Sequence, residues 1–285
     1  MLKILMYFIQ SIFIYLFFLI GFLIRLNLSR KLFAFLFSFL GPIFRSKKIL
    51  IKNLEIFSAR VPNIDKNEIA KGMWKNYGMT FIEYIFLKNL RKNNSHVEIK
   101  GEANLIKTLE NKKPAIFVSG HFANFELMSM EMTKRNVKLA TIYRPLNNLF
   151  LNPFMEYLRK KYVCEHQIKK GINGVREAID FLKKKHSIAL MIDQRVSEGE
   201  KLNFFGKPAL TTTLPAQLSI KYGLEIVPVY IERTKNNKFI LEFLQSIKPN
   251  NYKNKIELSK KLNIILEQMI IKNASQWIWT HNRWK

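Results

Sequence analysis

The residues with the clearest chemical potential lie in one run, Ser119-Gly120-His121-Phe122-Ala123-Asn124-Phe125-Glu126. The apolar segment Pro114–Ser119 before it has the pattern of a short buried strand, and a helix is expected to begin within the run. Glycine permits a tight turn between the two, which puts His121 at the turn. In an open α/β sheet, sites are built just outside the carboxyl ends of the strands. His121 and Glu126 are five residues apart, about 140° of rotation on an ideal helix, so they share no helical face. They meet only if His121 lies in the turn and Glu126 points back from the first helical turns. A carboxylate on one imidazole nitrogen would fix the tautomer and leave the other nitrogen free to accept a proton. That arrangement suits activation of a hydroxyl for attack on a thioester, with the N–H groups of the following helix N-terminus facing the developing oxyanion. The competing reading is a satisfied core histidine beside an ordinary acid in a helix first turn, and the spacing alone does not separate the two.

The elements that would position this pair alternate between strand and helix. Ile64 to Leu90 has apolar residues at helical spacing. Val137 to Tyr143, Ser187 to Ile192, Glu225 to Ile231 and Phe239 to Phe243 read as strands. Gly174 to Lys185, Thr213 to Tyr222 (with Thr213 as N-cap) and Ile256 to Ile271 read as helices. The expected fold is α/β, a mainly parallel central sheet flanked by helices. In front of it, Ile4 to Ile24 is uncharged and long enough to cross a bilayer as a helix. The basic residues Arg25, Arg30, Lys31, Arg45, Lys47 and Lys48 follow it, which places the body of the protein in the cytoplasm. A cleaved signal peptide fits less well, because the run is long and no small-residue cleavage site follows. Leu32 to Phe44 reads as an interfacial segment. The expected division is an anchor and interfacial segment over 1–48 and a catalytic domain over 49–285.

The chain has 285 residues, 48% hydrophobic and 24% charged, with a formal net charge of +26. Such a balance points to an anionic partner: a membrane surface, an acidic carrier protein or nucleic acid. Excess lysine also accompanies compositional drift in AT-rich genes, so the charge selects no partner. The single cysteine, Cys164, excludes an intramolecular disulfide and a cysteine zinc cluster. It reads as a small hydrophobe. His96, His166 and His186 lie in polar contexts and read as surface residues. No Gly-x-Ser-x-Gly elbow and no His-Glu-x-x-His pair is present, so neither an acyl-enzyme nor a metal is required.

Several blocks in order resemble one family. His121 to Glu126 is similar to the His-x-x-x-x-(Asp/Glu) signature of glycerolipid acyltransferases. It is closer still to the His-Phe-Gly-Asn-Trp-Glu block of the lipid A biosynthesis lauroyl/myristoyl acyltransferases. Tyr143-Arg144-Pro145, Lys170-Gly171, Asp193-Gln194, Phe204-Phe205-Gly206-Lys207-Pro208-Ala209 and the ending Trp277 to Lys285 match further blocks. Ala123 departs from the family's Gly, Phe125 from its Trp and Asn282 from an Arg.

The resemblance implies an inner-membrane, single-pass enzyme that faces the cytoplasm and needs no cofactor. It implies acyl carrier protein as donor and an anionic lipid acceptor, a hydroxyl of a Kdo-bearing lipid A precursor, with no nucleic acid partner. His121 and Glu126 would be catalytic. Arg144 would hold an acceptor phosphate as a guanidinium fork, close to the His121–Glu126 pair. Asn124, Gly120, Asp193, Lys170, Arg176, Phe205, Gly206 and Arg283 would complete the substrate-binding set, although Gly206 also reads as a turn residue and Arg283 as packing of the terminus. The alternatives are the same chemistry on a lysophospholipid, glycolipid or ornithine lipid, and a non-catalytic, membrane-tethered anion-binding module.

Overall fold

The computed structural model describes residues 2–44, 47–110 and 113–285; Arg45, counted among the basic residues above, lies outside them. Two long helices open the chain, α1 (Leu2–Leu23) and α2 (Arg25–Phe44), followed by α3 (Lys47–Ser58), α4 (Lys66–Glu83) and α5 (Leu87–Lys92). The alternating part comprises β1 (Val97–Lys100), α6 (Glu102–Glu110), β2 (Ile116–Ser119), α7 (Glu126–Lys134), β3 (Leu139–Tyr143), α8 (Asn152–Tyr162), β4 (His166–Lys169), α9 (Ile172–Lys183) and β5 (Ser187–Met191). A hairpin of β6 (Glu200–Phe204) and β7 (Lys207–Thr211) follows, then α10 (Leu214–Tyr222), β8 (Ile226–Arg233), β9 (Phe239–Phe243) and α11 (Lys255–Lys272).

Seven strands form one sheet in the order β1-β9-β8-β2-β5-β3-β4. Every neighbouring pair is parallel except β8 and β9, so the expected mainly parallel sheet is observed. β2 lies at its centre with all four residues buried, as a strand covered by helices on both faces must be. The carboxyl ends of β2, β5, β3 and β4 therefore open on one edge, side by side.

Two local expectations are corrected. The helical pattern of Ile64 to Leu90 is not one helix: α4 ends at Glu83 and a 3-10 turn, Tyr84–Phe86, precedes α5. Glu83 and Tyr84 at that break are both buried. Thr213 occupies the N-cap of α10, but its side chain caps nothing; its hydroxyl accepts from the Gln217 amide at 2.8 Å. The short strands β1 and β4 and the helix α8 were not legible as periodic segments.

α2 packs along α4. A Cβ added to Gly78 would stand 2.1 Å from the Phe33 carbonyl oxygen, so only glycine lets the two backbones approach this closely. α1 is docked as well. Its Tyr15 hydroxyl donates to the Phe150 carbonyl (2.9 Å), and the Asn148 amide donates to the Tyr7 carbonyl (2.8 Å). Phe18 is buried against Phe81 and Phe154. The opposite face of α1 exposes Leu5, Ile9, Ile12, Phe13, Leu16 and Leu23. Among the described residues α1 is the one helix long and apolar enough to cross a membrane.

Candidate active site

β2 ends at Ser119 and α7 starts at Glu126, so the residues between them make the turn outside the central strand. His121 lies in that turn with its side chain 18% exposed. Its Nδ1 is 2.8 Å from Asp193 Oδ1, and its backbone N–H donates to Asp193 Oδ2 at 2.8 Å. Asp193 follows β5, the neighbour of β2, and is 2% exposed. The Trp277 indole N–H donates to the same carboxylate at 2.9 Å. Burial alone would raise the Asp193 carboxyl, but the charge and hydrogen bonds of His121, with a smaller contribution from His281, hold it well below the usual carboxylate range. An ionised, acceptor-only Asp193 requires the proton on Nδ1, which leaves Nε2 of His121 as the basic nitrogen.

The open side of the ring carries further polar groups. The Gln194 side-chain amide is 2.8 Å from His281 Nε2 and 3.4 Å from each nitrogen of His121. The Phe125 ring meets the imidazole edge to face at 4.7 Å between centroids. The C-terminal segment is held here by the turn itself: Ala123 N–H donates to the Gln276 carbonyl, and Phe122 bridges Trp277.

Glu126 is corrected as the partner of His121. Its carboxylate accepts from the Tyr84 hydroxyl (2.5 Å) and from Arg159 Nε (2.8 Å), and Arg159 Nη2 is 2.7 Å away. Burial pushes the Tyr84 phenol up, and Glu126 adds to that. Arg159 is raised by Glu126 and Tyr84 against the effect of its burial. Glu126 thus points from the first turn of α7 toward α8, not back across the turn. The carboxylate that reaches His121 comes from a strand seventy-two residues away in sequence, so no local spacing could reveal it.

The helix terminus is corrected too. The N–H groups of Glu126, Leu127 and Met128 already donate to Asn124 Oδ1, the Asn124 carbonyl and the Phe125 carbonyl, so they are not open to an oxyanion. Asn124 is buried; its amide donates to Glu83 Oε2 at 2.8 Å. Glu83 also accepts from Arg30 Nε (2.6 Å) and both terminal nitrogens of Arg233 (2.5 and 3.0 Å). Burial opposes ionisation of Glu83, yet the two guanidiniums keep its pKa lowered. Ala123 takes φ +43°, a left-handed backbone that explains why glycine suits this position; its carbonyl accepts from the Thr80 hydroxyl at 2.9 Å.

Of the other expected residues, Gly120 is buried at the end of β2 and its carbonyl accepts from Phe122 N–H. Phe205 and Gly206 form the β6–β7 turn, both at positive φ. Phe205 is 3% exposed and packs on Phe57 and Phe204, so it is a core residue rather than a substrate contact. Arg283 is fully buried. It donates to the Leu210 carbonyl and Thr211 hydroxyl and lies 4.8 Å from the Phe204 ring centroid; burial lowers its pKa to about 10. It cannot reach a substrate. Arg144, Lys170 and Arg176 are exposed beyond β3, beyond β4 and in the second turn of α9. One strand, β5, lies between β2 and β3 and sets them roughly 10 Å apart, so Arg144 shares the edge with His121 without adjoining the His121–Asp193 pair. Buried Cys164 has a raised thiol pKa, as a packed hydrophobe should. His96, expected at the surface, is buried.

The family model for bacterial lipid A biosynthesis acyltransferases matches residues 1–285. The chain belongs to that family. This acyltransferase is 23% identical over 265 residues to a lipid A biosynthesis acyltransferase of Haemophilus influenzae, covering 89% of this chain and 82% of that protein. Among solved structures, the 1-acyl-sn-glycerophosphate acyltransferase PlsC of Thermotoga maritima is similar at 15% identity and a TM-score of 0.43, over 89% of this chain and all of that one. The enzyme class is O-acyl transfer, with a lipid as acceptor. Tyr84 and Arg159 beside Glu126, and Gln194 beside His121, are polar neighbours whose roles sequence reasoning missed. Arg159 was hidden in a basic helix end, Arg159-Lys160-Lys161, which resembles a solvated face.

Proposed function

We propose that His121 is the general base of an acyl transfer from acyl-acyl carrier protein to a hydroxyl of a Kdo-lipid IVA-type acceptor in lipopolysaccharide biosynthesis. The observation that carries it is the His121–Asp193 contact at the carboxyl edge of the sheet, with the imidazole partly open. Asp193 fixes the Nδ1–H tautomer; Nε2 takes the proton as the acceptor oxygen attacks the thioester carbon. The C–S bond then breaks, and the carrier thiolate leaves and takes up a proton. The developing oxyanion has Gln194 and His281 beside the base as polar neighbours. Glu126 acts at one remove, by fixing Arg159 and the start of α7. Arg144 contacts the acceptor's anionic headgroup.

Residues 1–48 form the membrane-facing part and 49–285 the catalytic part. The apolar outer face of α1 anchors the enzyme to the inner membrane, with the catalytic part on the cytoplasmic side, where a carrier-protein thioester is available. The net charge of +26 suits an anionic carrier, an anionic lipid and an anionic surface together. Purified enzyme, offered acyl-carrier protein or acyl-CoA with Kdo-lipid IVA, a lysophospholipid or an ornithine lipid, tests the assignment. Mass spectrometry should find one added acyl chain on Kdo-lipid IVA and fastest transfer from the carrier protein. Transfer only to another lipid would replace the acceptor, and transfer to none would refute the reading.

A further inference from the structure

The last turn of α1 borders a cavity of about 760 Å³ that it shares with α5 and α8. That volume falls in the range of small-molecule sites, about 300–1,000 Å³. Its two sides differ. Phe22 of α1, Ile85 and Phe154 of α8 form an apolar wall, while α5 contributes Lys88, Asn89 and Lys92, continued by Asn93. Lys88 and Lys92 are four residues apart and therefore share one face of α5. Both are exposed. Among the described residues no acid lines the cavity, and neither lysine forms an ion pair.

The apolar wall continues onto the bare face of α1. Phe22 is 66% exposed, and Leu19, one turn earlier, and Leu23 are exposed with it. Phe154 carries the wall inward, its ring centroid 5.7 Å from that of Tyr15 and 6.0 Å from that of Phe18. A lipid chain on α1 and an anionic group against α5 would cover both sides at once. Left to water, the aromatic wall stays uncovered, and the two like charges repel across one helical turn.

We propose that this cavity holds the headgroup of one anionic membrane phospholipid, a resident lipid rather than a substrate, with its acyl chains laid on the outer face of α1. The site rests on the reading of α1 as a membrane anchor and is independent of which acceptor is acylated. At the end of an anchor, Lys88 and Lys92 stand at headgroup level, where each lysine favours an anionic lipid roughly fivefold. A phosphodiester offers its charge and acceptor oxygens to the two ammonium groups. A glycerol headgroup adds hydroxyls for the Asn89 and Asn93 amides, which both donate and accept. A neutral lipid would leave the lysines unmatched, and an acidic protein would leave the wall of Phe22 and Phe154 in water.

The test uses full-length enzyme in detergent with phosphatidylglycerol or phosphatidylcholine of the same chains, and native mass spectrometry counts the lipid retained. One phosphatidylglycerol should stay bound per enzyme, and phosphatidylcholine should be lost. Lys88→Gln combined with Lys92→Gln should weaken phosphatidylglycerol binding by ~10–30-fold, as two lysines at roughly fivefold each imply. Lys260→Gln combined with Lys261→Gln removes the same charge from exposed positions on α11 and should have no effect. Equal losses in the two double variants would reduce the preference to net charge and overturn the site. Glycerol phosphate, a headgroup without chains, should not displace the lipid; displacement would assign the cavity to a soluble phosphate ester instead. Displacement by acyl carrier protein or Kdo-lipid IVA at equal concentration would give the cavity to a substrate and overturn the proposal. None of these measurements needs turnover, so the site and the acyl-transfer reading fail separately. Native enzyme that floats with phosphatidylcholine vesicles yet retains no phosphatidylglycerol overturns the site and leaves the anchor standing. Enzyme that floats with vesicles of neither lipid removes both.

Discussion

The turn from Ser119 to Glu126 has two sides that treat charge in opposite ways. On the inner side every charge is matched: Glu83 lies between Arg30 and Arg233, Glu126 accepts from Arg159 and Tyr84, and Asn124 joins the turn to Glu83. On the outer side Asp193 is buried behind His121, and the imidazole stays 18% exposed among Gln194, His281 and Phe125. A matched, sealed network gives rigidity and no reactivity, because each proton already has its place. A base must keep one nitrogen open to substrate. Three carboxylates lie about the turn, and their partners assign two to support and one to the base.

The largest expected effect breaks the outer side. His121→Ala should reduce turnover by ~10²–10⁴-fold, the range for general-base catalysis, while the protein still unfolds cooperatively, with some loss of stability because buried Asp193 loses its partner. Asp193→Asn should lose at least ~10²-fold, since an amide no longer dictates which ring nitrogen carries the proton. Near-normal turnover of purified His121→Ala would remove the base from His121 altogether.

Breaking the inner side should read out as stability. Glu83→Gln leaves two buried guanidiniums without a counter-charge and should cost ~3–5 kcal/mol in chemical denaturation, the range for losing one partner of a buried pair. Glu126→Gln should be less severe, because Arg159 keeps neighbouring polar groups. Its turnover should fall without a change in the shape of the pH–rate profile, whereas Asp193→Asn should alter that shape. If Glu126→Gln shifts the profile and Asp193→Asn does not, the two acids have exchanged roles.

Acid sharpens the same contrast. Asp193 and Glu83 both have lowered pKa values in the folded protein. Their stabilisation is complete above the unfolded carboxylate values of about 4 and is lost as pH falls through the folded values. The midpoint of urea unfolding should therefore hold steady down to about pH 5 and decline below about pH 4. Asp193→Asn should flatten part of that decline, and a flat profile in the native enzyme would contradict it. The smallest effect is at Ala123, where φ is +43°. Ala123→Gly relieves left-handed strain of ~1–2 kcal/mol but adds backbone entropy to the unfolded chain. A net gain below about 1 kcal/mol, with kcat unchanged, is expected, measurable as a small rise in Tm.

How much was legible in the sequence depended on the range of the interaction. Strand β9 (Phe239–Phe243) was read to the residue because its burial alternates, and β5 within one because it is a short, continuous apolar run. β4, His166–Lys169, was missed: it is a sheet-edge strand with one fully buried residue, and its pattern is too polar to signal. At the site, His121 stood out because a glycine and a histidine interrupt an apolar strand, a local event. Glu126 was assigned to the wrong partner because spacing gives the rotation about a helix but not which neighbour lies on that side.

What the sequence determined by itself was therefore the parallel α/β class, the membrane-suited first helix, the turn that carries the base and, through ordered blocks, the acyltransferase family. The tertiary structure alone decided which carboxylate serves the base. Asp193 reaches His121 because β5 is the hydrogen-bonded neighbour of β2, and strand order is set by packing across the whole sheet, not by any segment. The same is true of Arg283, charged in sequence but sealed under the hairpin. A charge becomes structural or functional through the groups that surround it, and those come together only when distant segments pack.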